Sequence, residues 1–176
     1  LHHPPVGANE ISLMDRTDPA WERLKFDELV AQQIALRHSR ALKAHNRAPQ
    51  ILPKITPITD RLLSSLPFEL TGAQQRVLEE IRHDLARIIP ANRLVQGDVG
   101  SGKTVIAALS ATLAIDAGYQ VALMAPTEIL AEQHFQKIRA WLEPAGVCIA
   151  WLAGKQKNKE KLTNLEKVTS GQAQFV

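Results

Sequence analysis

The chain has 176 residues, 45% of them hydrophobic, which suits one domain with a buried core and a short appendage and argues against disorder. Its net charge of +3 is mildly basic, so an anionic partner such as nucleic acid is allowed but not required. No stretch is apolar for long enough to cross a bilayer, and no signal-peptide pattern precedes the first helix. These features exclude a membrane protein, and we expect a cytoplasmic one.

Residues 1–59 are predicted to form a linker followed by a connector helix. Residues 1–17 lack periodicity and contain a Pro-Pro pair, which is typical of a linker. Asp18 and Pro19 are typical of a helix start, and the residues up to about His45 are rich in helix formers. The apolar side of this helix is predicted to carry Trp21, Leu24, Leu29, Val30, Ile34 and Ala41. Three prolines over residues 48–58 then predict an extended connector.

Residues 60–176 alternate between helical and strand patterns. The predicted order is a helix from Thr71 to about Arg87, strand Leu94–Gln96, a helix from Gly102 to about Ala117, strand Tyr119–Ala125, a helix from Thr127 to about Leu142, strand Val147–Leu152 and helix Glu160–Val168. Alternation of this kind predicts an α/β fold with a parallel sheet covered by helices on both faces.

A phosphate-binding loop follows the first predicted strand. It reads Gly97-Asp98-Val99-Gly100-Ser101-Gly102-Lys103-Thr104, the pattern G-x-x-x-x-G-K-[ST]. The glycines let consecutive N–H groups point at a phosphate, Lys103 supplies an ammonium for the β- and γ-phosphates, and Thr104 supplies a hydroxyl for Mg²⁺. The alternative is a glycine-rich turn that binds nothing, but such a turn has no use for the Gly-Lys-Thr ending.

Two residues upstream of this loop are candidates for contact with the base. Gln74 could pair its amide with the N6 and N7 edge of adenine, and Phe68 could pack beside the purine. However, Thr71 and Gln74 also match the S/T-x-x-Q capping box, which by itself explains both residues. The spacing leaves the two interpretations open.

Two loops after later strands are candidates for DNA contact. Thr127 precedes a predicted helix, so it is either an ordinary cap or, with the free N–H groups of that helix, a site for a nucleic-acid phosphate. Gly154 and Lys155 follow the third strand at the same predicted edge, although lysines in such loops are more often plain solvated charges. The six histidines form no metal-binding pattern, so Thr104 is the only metal ligand that we expect, through the nucleotide.

Four segments together resemble the superfamily-two helicases. They are Leu66–Gln74, Arg93–Thr104, Gln120–Glu128 and Trp151–Lys157. More narrowly, they are similar to the RecG family of bacterial ATP-dependent branched-DNA helicases. The resemblance is close over residues 60–176, and residues 1–59 fit the connector of that family between its DNA-binding wedge and its motor.

The resemblance implies an incomplete P-loop NTPase (RecA-like) fold, the N-terminal part of helicase lobe 1, preceded by a helical connector. It implies ATP and Mg²⁺ as cofactors, and forks and Holliday junctions as DNA partners, in a bacterial cytoplasm. The family's Asp-Glu-x-His motif, second lobe and wedge are not in this sequence, and the ends at Leu1 and Val176 suggest an excised piece. We therefore expect nucleotide binding without hydrolysis. The alternatives are the motor of a transcription-repair coupling translocase, or a P-loop module or kinase unrelated to DNA.

Overall fold

The computed structural model describes residues 9–44, 46–52, 55–154 and 156–176. The chain divides into two compact units, Leu1–Arg47 and Ala48–Val176.

The first unit contains two helices. Helix α1 spans Glu10–Met14, within the predicted linker, and begins where the Asn9 side chain accepts hydrogen bonds from the N–H groups of its first turn. Helix α2 spans Pro19–Ala44, and Asp18 Oδ1 accepts a hydrogen bond of 2.8 Å from Ala20 N–H. The predicted start of the connector helix at Asp18 and Pro19 is thus confirmed.

The predicted apolar side of α2 is largely exposed. Leu29 and Ile34 are 60% and 61% exposed. Trp21 is an exception, since it is half-buried and its Nε1–H donates to the carbonyl of Leu13 at 2.9 Å. None of the helices in the described ranges is both long and apolar enough to cross a membrane.

The second unit contains five helices among the residues that the structure describes. They are α3 (Pro57–Ser65), α4 (Gly72–Leu85), α5 (Lys103–Asp116), α6 (Glu128–Leu142) and α7 (Asn158–Thr169). The four predicted helices α4–α7 are confirmed, with ends that differ by at most two residues from those expected. Helix α3 was not expected: its first two residues lie within the predicted extended connector.

Helix α5 is the centre of the core. Nine of its 14 residues are buried, and α3, α4 and α6 pack against it. Leu109 of α5, Leu62 of α3 and Leu142 of α6 have no exposed surface. Because α5 begins at the predicted phosphate loop, burial of its apolar residues fixes the position of that loop.

The start of helix α3 is capped by the carboxylate of Asp116, the last residue of α5. The Asp116 carboxylate accepts hydrogen bonds of 3.0 Å from the N–H groups of both Ile58 and Thr59. It also accepts one of 2.7 Å from the hydroxyl of Thr59. A carboxylate at this place satisfies N–H groups that lack helical acceptors, and its charge complements the helix dipole. Pro57 therefore occupies the first turn of a helix rather than ending one.

The predicted parallel sheet is not confirmed. Phe175 forms isolated parallel bridges with Val121 and with Ile149, which places the last segment of the chain between the two predicted strands. No longer strand forms within the described ranges. The predicted strand Leu94–Gln96 has no bridge there, and Leu94 is 87% exposed. A strand needs a hydrogen-bonded neighbour along its length, and this segment lacks one among these residues.

Candidate nucleotide-binding site

The backbone of residues 97–104 forms a tight loop that opens helix α5. Gly100 and Gly102 have φ angles of 84° and 87°, in the left-handed region that glycine adopts without strain. A Cβ on Gly102 would also lie 2.3 Å from Gln74 Nε2. Ser101 N–H closes the turn with a hydrogen bond of 3.1 Å to the Asp98 carbonyl. The loop therefore needs glycine at position 102 for its conformation, and a side chain there would also displace the Gln74 amide.

Helix α5 begins without a side-chain cap. Gly102 occupies the cap position and has no side chain with which to accept a hydrogen bond. The N–H groups of a first helical turn have no acceptors within the helix, and the dipole adds partial positive charge there. This end of α5 is therefore suited to an anion.

Lys103 lies across the loop. Its Nζ donates hydrogen bonds of 2.6 Å to the carbonyls of Gly97 and Asp98. The residue is exposed, and it takes part in none of the ion pairs of the described residues. The ammonium group and the positive end of the helix dipole are thus both part of the junction between the loop and α5.

The side chain of Gln74 links helix α4 to the loop. The capping box is present: Thr71 N–H donates to Gln74 Oε1 at 2.9 Å, and Gln74 N–H donates to Thr71 Oγ1 at 3.3 Å. In addition, Gln74 Nε2 donates to the Ser101 carbonyl at 2.9 Å. One lone pair on Oε1 and one hydrogen on Nε2 remain, which is the pair of groups that an adenine edge requires.

A cavity of about 410 Å³ adjoins the loop. Phe68, which is 47% exposed, lines it together with residues of the loop and of the first turn of α5. The structure therefore brings Phe68 to the same cavity as Gly100, Gly102, Lys103 and Thr104. The remaining wall comes from helix α6 and was not predicted; it consists of Lys137, Ala140 and Trp141.

One feature of the sequence relates these three α6 residues to each other. They stand at positions i, i+3 and i+4, so they share a face of the helix. The spacing indicates a common face but cannot indicate that the face meets the loop, because that depends on how α6 packs against α5.

The loops proposed for DNA lie close to each other. Thr127 caps α6, since its Oγ1 accepts a hydrogen bond of 3.3 Å from Leu130 N–H. A Cβ on Gly154 would lie 3.2 Å from Glu128 Oε1 in the first turn of that helix. The capping interpretation of Thr127 is thus realised, and a carboxylate lies beside the N–H groups proposed for phosphate. Lys155 lies outside the described residues.

An ion-pair cluster holds the segment before the loop against α4. Arg93 contacts Glu80, and its Nε donates to Asp84 Oδ2 at 2.6 Å. The hydrogen bond from Arg93 lowers the pKa of Asp84, and the same bond raises the pKa of Arg93. Both side chains are partly exposed, at 18% for Asp84 and 33% for Arg93, so solvent weakens the pair.

Comparison with known proteins gives one family. Residues 71–175 match the DEAD/DEAH box helicase family. The chain is 50% identical over its whole length to the ATP-dependent DNA helicase RecG of Pasteurella multocida and 48% identical to that of Escherichia coli, and covers 25% of each relative. It is 40% identical over 172 residues to the RecG of Aquifex aeolicus, covering 21% of it.

A solved structure, RecG bound to a three-way DNA junction, has a TM-score of 0.77 and 38% identity; the match covers 88% of this chain and 21% of that one. The chain therefore spans about a quarter of the length of these relatives. Since the family match includes more than half of the 176 residues, the chain belongs to the DEAD/DEAH box helicase family.

Proposed function

We propose that the chain is the nucleotide-binding part of an ATP-dependent helicase that acts on branched DNA. One observation carries the proposal: Lys103 and the uncapped start of α5 adjoin the cavity that Phe68 also lines. A cation, free N–H groups and an aromatic ring at one cavity are the groups that a purine nucleotide needs.

Each part of the site has a proposed role. Residues 97–104 would bind the phosphates, with Thr104 holding Mg²⁺ and Lys103 neutralising the β- and γ-phosphates. Gln74 and Phe68 would bind adenine. The Mg²⁺ ion would bridge phosphate oxygens and reduce their negative charge. The Thr127 and Gly154–Lys155 loops are proposed to contact a DNA strand.

The architecture and the larger activity are part of the same proposal. Segments 94–96, 119–125 and 147–152 would join a parallel sheet in helicase lobe 1, which residues 60–176 begin, and residues 1–59 would connect that lobe to a DNA-binding wedge. ATP turnover in the whole protein would move it along duplex DNA and remodel forks and Holliday junctions in recombination and repair, in the bacterial cytoplasm. This proposal is supported by the relatives: one is the ATP-dependent DNA helicase RecG, and the structural neighbour is RecG bound to a three-way DNA junction.

The first test removes the lysine. Lys103→Ala should weaken ATP binding by roughly 10- to 100-fold, because a hydrogen bond to a charged group typically contributes about 1.5–3 kcal/mol. Titration calorimetry on the 176-residue chain measures the affinity directly.

The matched control is Lys161→Gln, a charge loss on the exposed side of α7. It should bind ATP like the wild-type chain. Equal affinity of wild type and Lys103→Ala would overturn the assignment of the loop.

A further inference from the structure

The wall of the nucleotide cavity that helix α6 supplies has no role in the proposal above. It consists of Lys137, Ala140 and Trp141, and it faces the same 410 Å³ space as Phe68 and the loop. Ala140 is small, so the two residues beside it control what this wall can contact. An aromatic ring and a cation beside the loop are groups that can contact a base and a phosphate.

The Trp141 side chain lies between the hydrophobic core and the cavity. It packs against the hydrophobic core cluster and is half-buried, while its remaining surface lines the cavity. An indole fixed in this way loses little conformational entropy when a ligand contacts its open face. Phe68 lines the same cavity, so two aromatic rings adjoin one space.

Lys137 lies one turn before Trp141 on the same face of α6. Four residues of helix correspond to about 6 Å along its axis, so the two side chains reach different parts of one ligand. Lys137 is exposed and is absent from the ion pairs of the described ranges. Its charge is therefore available to an anion in the cavity. Lys103 lines the same cavity, so two lysines adjoin it.

We infer that α6 forms a second wall of the nucleotide site, with Trp141 contacting the purine and Lys137 contacting a phosphate oxygen. The inference rests on the proposed function, because it assigns parts of the same ligand. It adds two residues outside the loop and outside the Phe68–Gln74 segment. Aromatic contact makes the site selective for a nucleotide over a bare polyphosphate, whereas the second lysine strengthens the binding of both.

The experiment compares ATP with inorganic tripolyphosphate, which has the phosphates but no base. Trp141→Leu should weaken ATP binding by about 5- to 100-fold, since stacking on a base contributes about 1–3 kcal/mol, and leave tripolyphosphate binding unchanged. Lys137→Gln should weaken both ligands by the same factor, and this loss should shrink at high salt. Lys161→Gln should alter neither.

Tryptophan fluorescence gives a second readout that does not depend on a large truncation. ATP should change the emission of the wild-type chain and of Trp151→Phe, because Trp151 packs on Phe135, with ring centroids 4.7 Å apart, at a different cavity. Trp141→Phe keeps an aromatic ring, so it should remain folded and bind ATP, but it should lose that change in emission.

The outcomes separate the inference from the proposal beneath it. If Lys103→Ala loses ATP binding while Trp141→Leu and Lys137→Gln bind like the wild type, the α6 wall is wrong and the proposed function stands. If Trp141→Phe retains the full change in emission, contact between Trp141 and the nucleotide is wrong. If the wild-type chain binds neither ATP nor tripolyphosphate, both proposals fail.

Discussion

Gln74 makes three hydrogen bonds besides those within the backbone of α4, and they explain why the capping and base-binding interpretations of this residue are compatible. It caps α4 through Thr71 and reaches the loop through the Ser101 carbonyl. The Gln74 side chain therefore connects the conformation of the loop to that of the first turn of α4. The sequence indicates the cap, because its three-residue spacing is local, but the bond to Ser101 spans 27 residues and depends on the packing of α4 against α5.

The role of Gln74 in base recognition is tested by its removal. Gln74→Ala should lower ATP affinity by about 5- to 100-fold, since a bidentate contact with a base discriminates by about 1–3 kcal/mol, and leave GTP affinity little changed. The measurement is a pair of calorimetric titrations with ATP and with GTP.

Thr71→Ala is the matched control for this experiment. It breaks the capping box from the other side and should cost about 0.5–2 kcal/mol of stability without changing the preference for ATP over GTP. If Gln74→Ala gives the same pattern as Thr71→Ala, Gln74 is a helix cap and has no part in reading the base.

The segment at Arg93 and Leu94, just before the loop, is held against helix α4 mainly by ion pairs. Arg93 ties it to Glu80 and Asp84 of α4, and Leu94 beside it is exposed. A pair that lowers a carboxyl pKa stabilises the fold above the ordinary value of that group, here 3.8, and this contribution is lost as the pH falls through the lowered value.

Asp84→Asn should therefore lower the free energy of unfolding at pH 7, by a small amount because the pair is partly exposed. The difference from the wild type should shrink towards zero as the pH falls below the ordinary carboxyl range. Urea unfolding at pH 7 and at pH 3 measures it.

Glu79→Gln provides the comparison for Asp84→Asn, since Glu79 lies on the same helix and is exposed, and it takes part in none of the ion pairs of the described residues. A difference between Asp84→Asn and wild type that is independent of pH would contradict the ion pair as its cause.

Helix α3 shows where prediction from sequence ends. Helices α4 to α7 are marked by local signals such as Thr71, Thr127 and the glycine of the loop, and each was predicted within two residues. Helix α3 is capped by Asp116, which is 57 residues away from Thr59. A proline with no local cap suggests a break in structure, and only the fold supplies the carboxylate that makes it a helix start. The α6 wall was missed for the same reason.

For the chain as a whole, ATP binding and ATP hydrolysis require different residues. Hydrolysis needs a carboxylate that positions water near Mg²⁺, and cationic groups opposite the γ-phosphate. The 176-residue sequence contains no Asp-Glu-x-His run. We therefore expect this chain to bind ATP without DNA-stimulated turnover.

Phosphate release measures this, with and without a model fork, for the chain and for the full-length Escherichia coli relative. The relative should respond to the fork and the chain should not. A comparable rate in both would mean that the hydrolytic carboxylate lies within these residues.

The burial of α5 has a mechanical consequence. Its first turn adjoins the predicted phosphate loop, and its last residue, Asp116, caps the start of α3, about 20 Å away at 1.5 Å per residue. A rod packed on most sides cannot bend or unwind locally without opening gaps in the core. We therefore expect a movement of the loop to shift α5 as one body and so to reach α3. The hydrogen bonds of the Asp116 carboxylate to Ile58 and Thr59 are the contacts through which we expect α3 to follow α5.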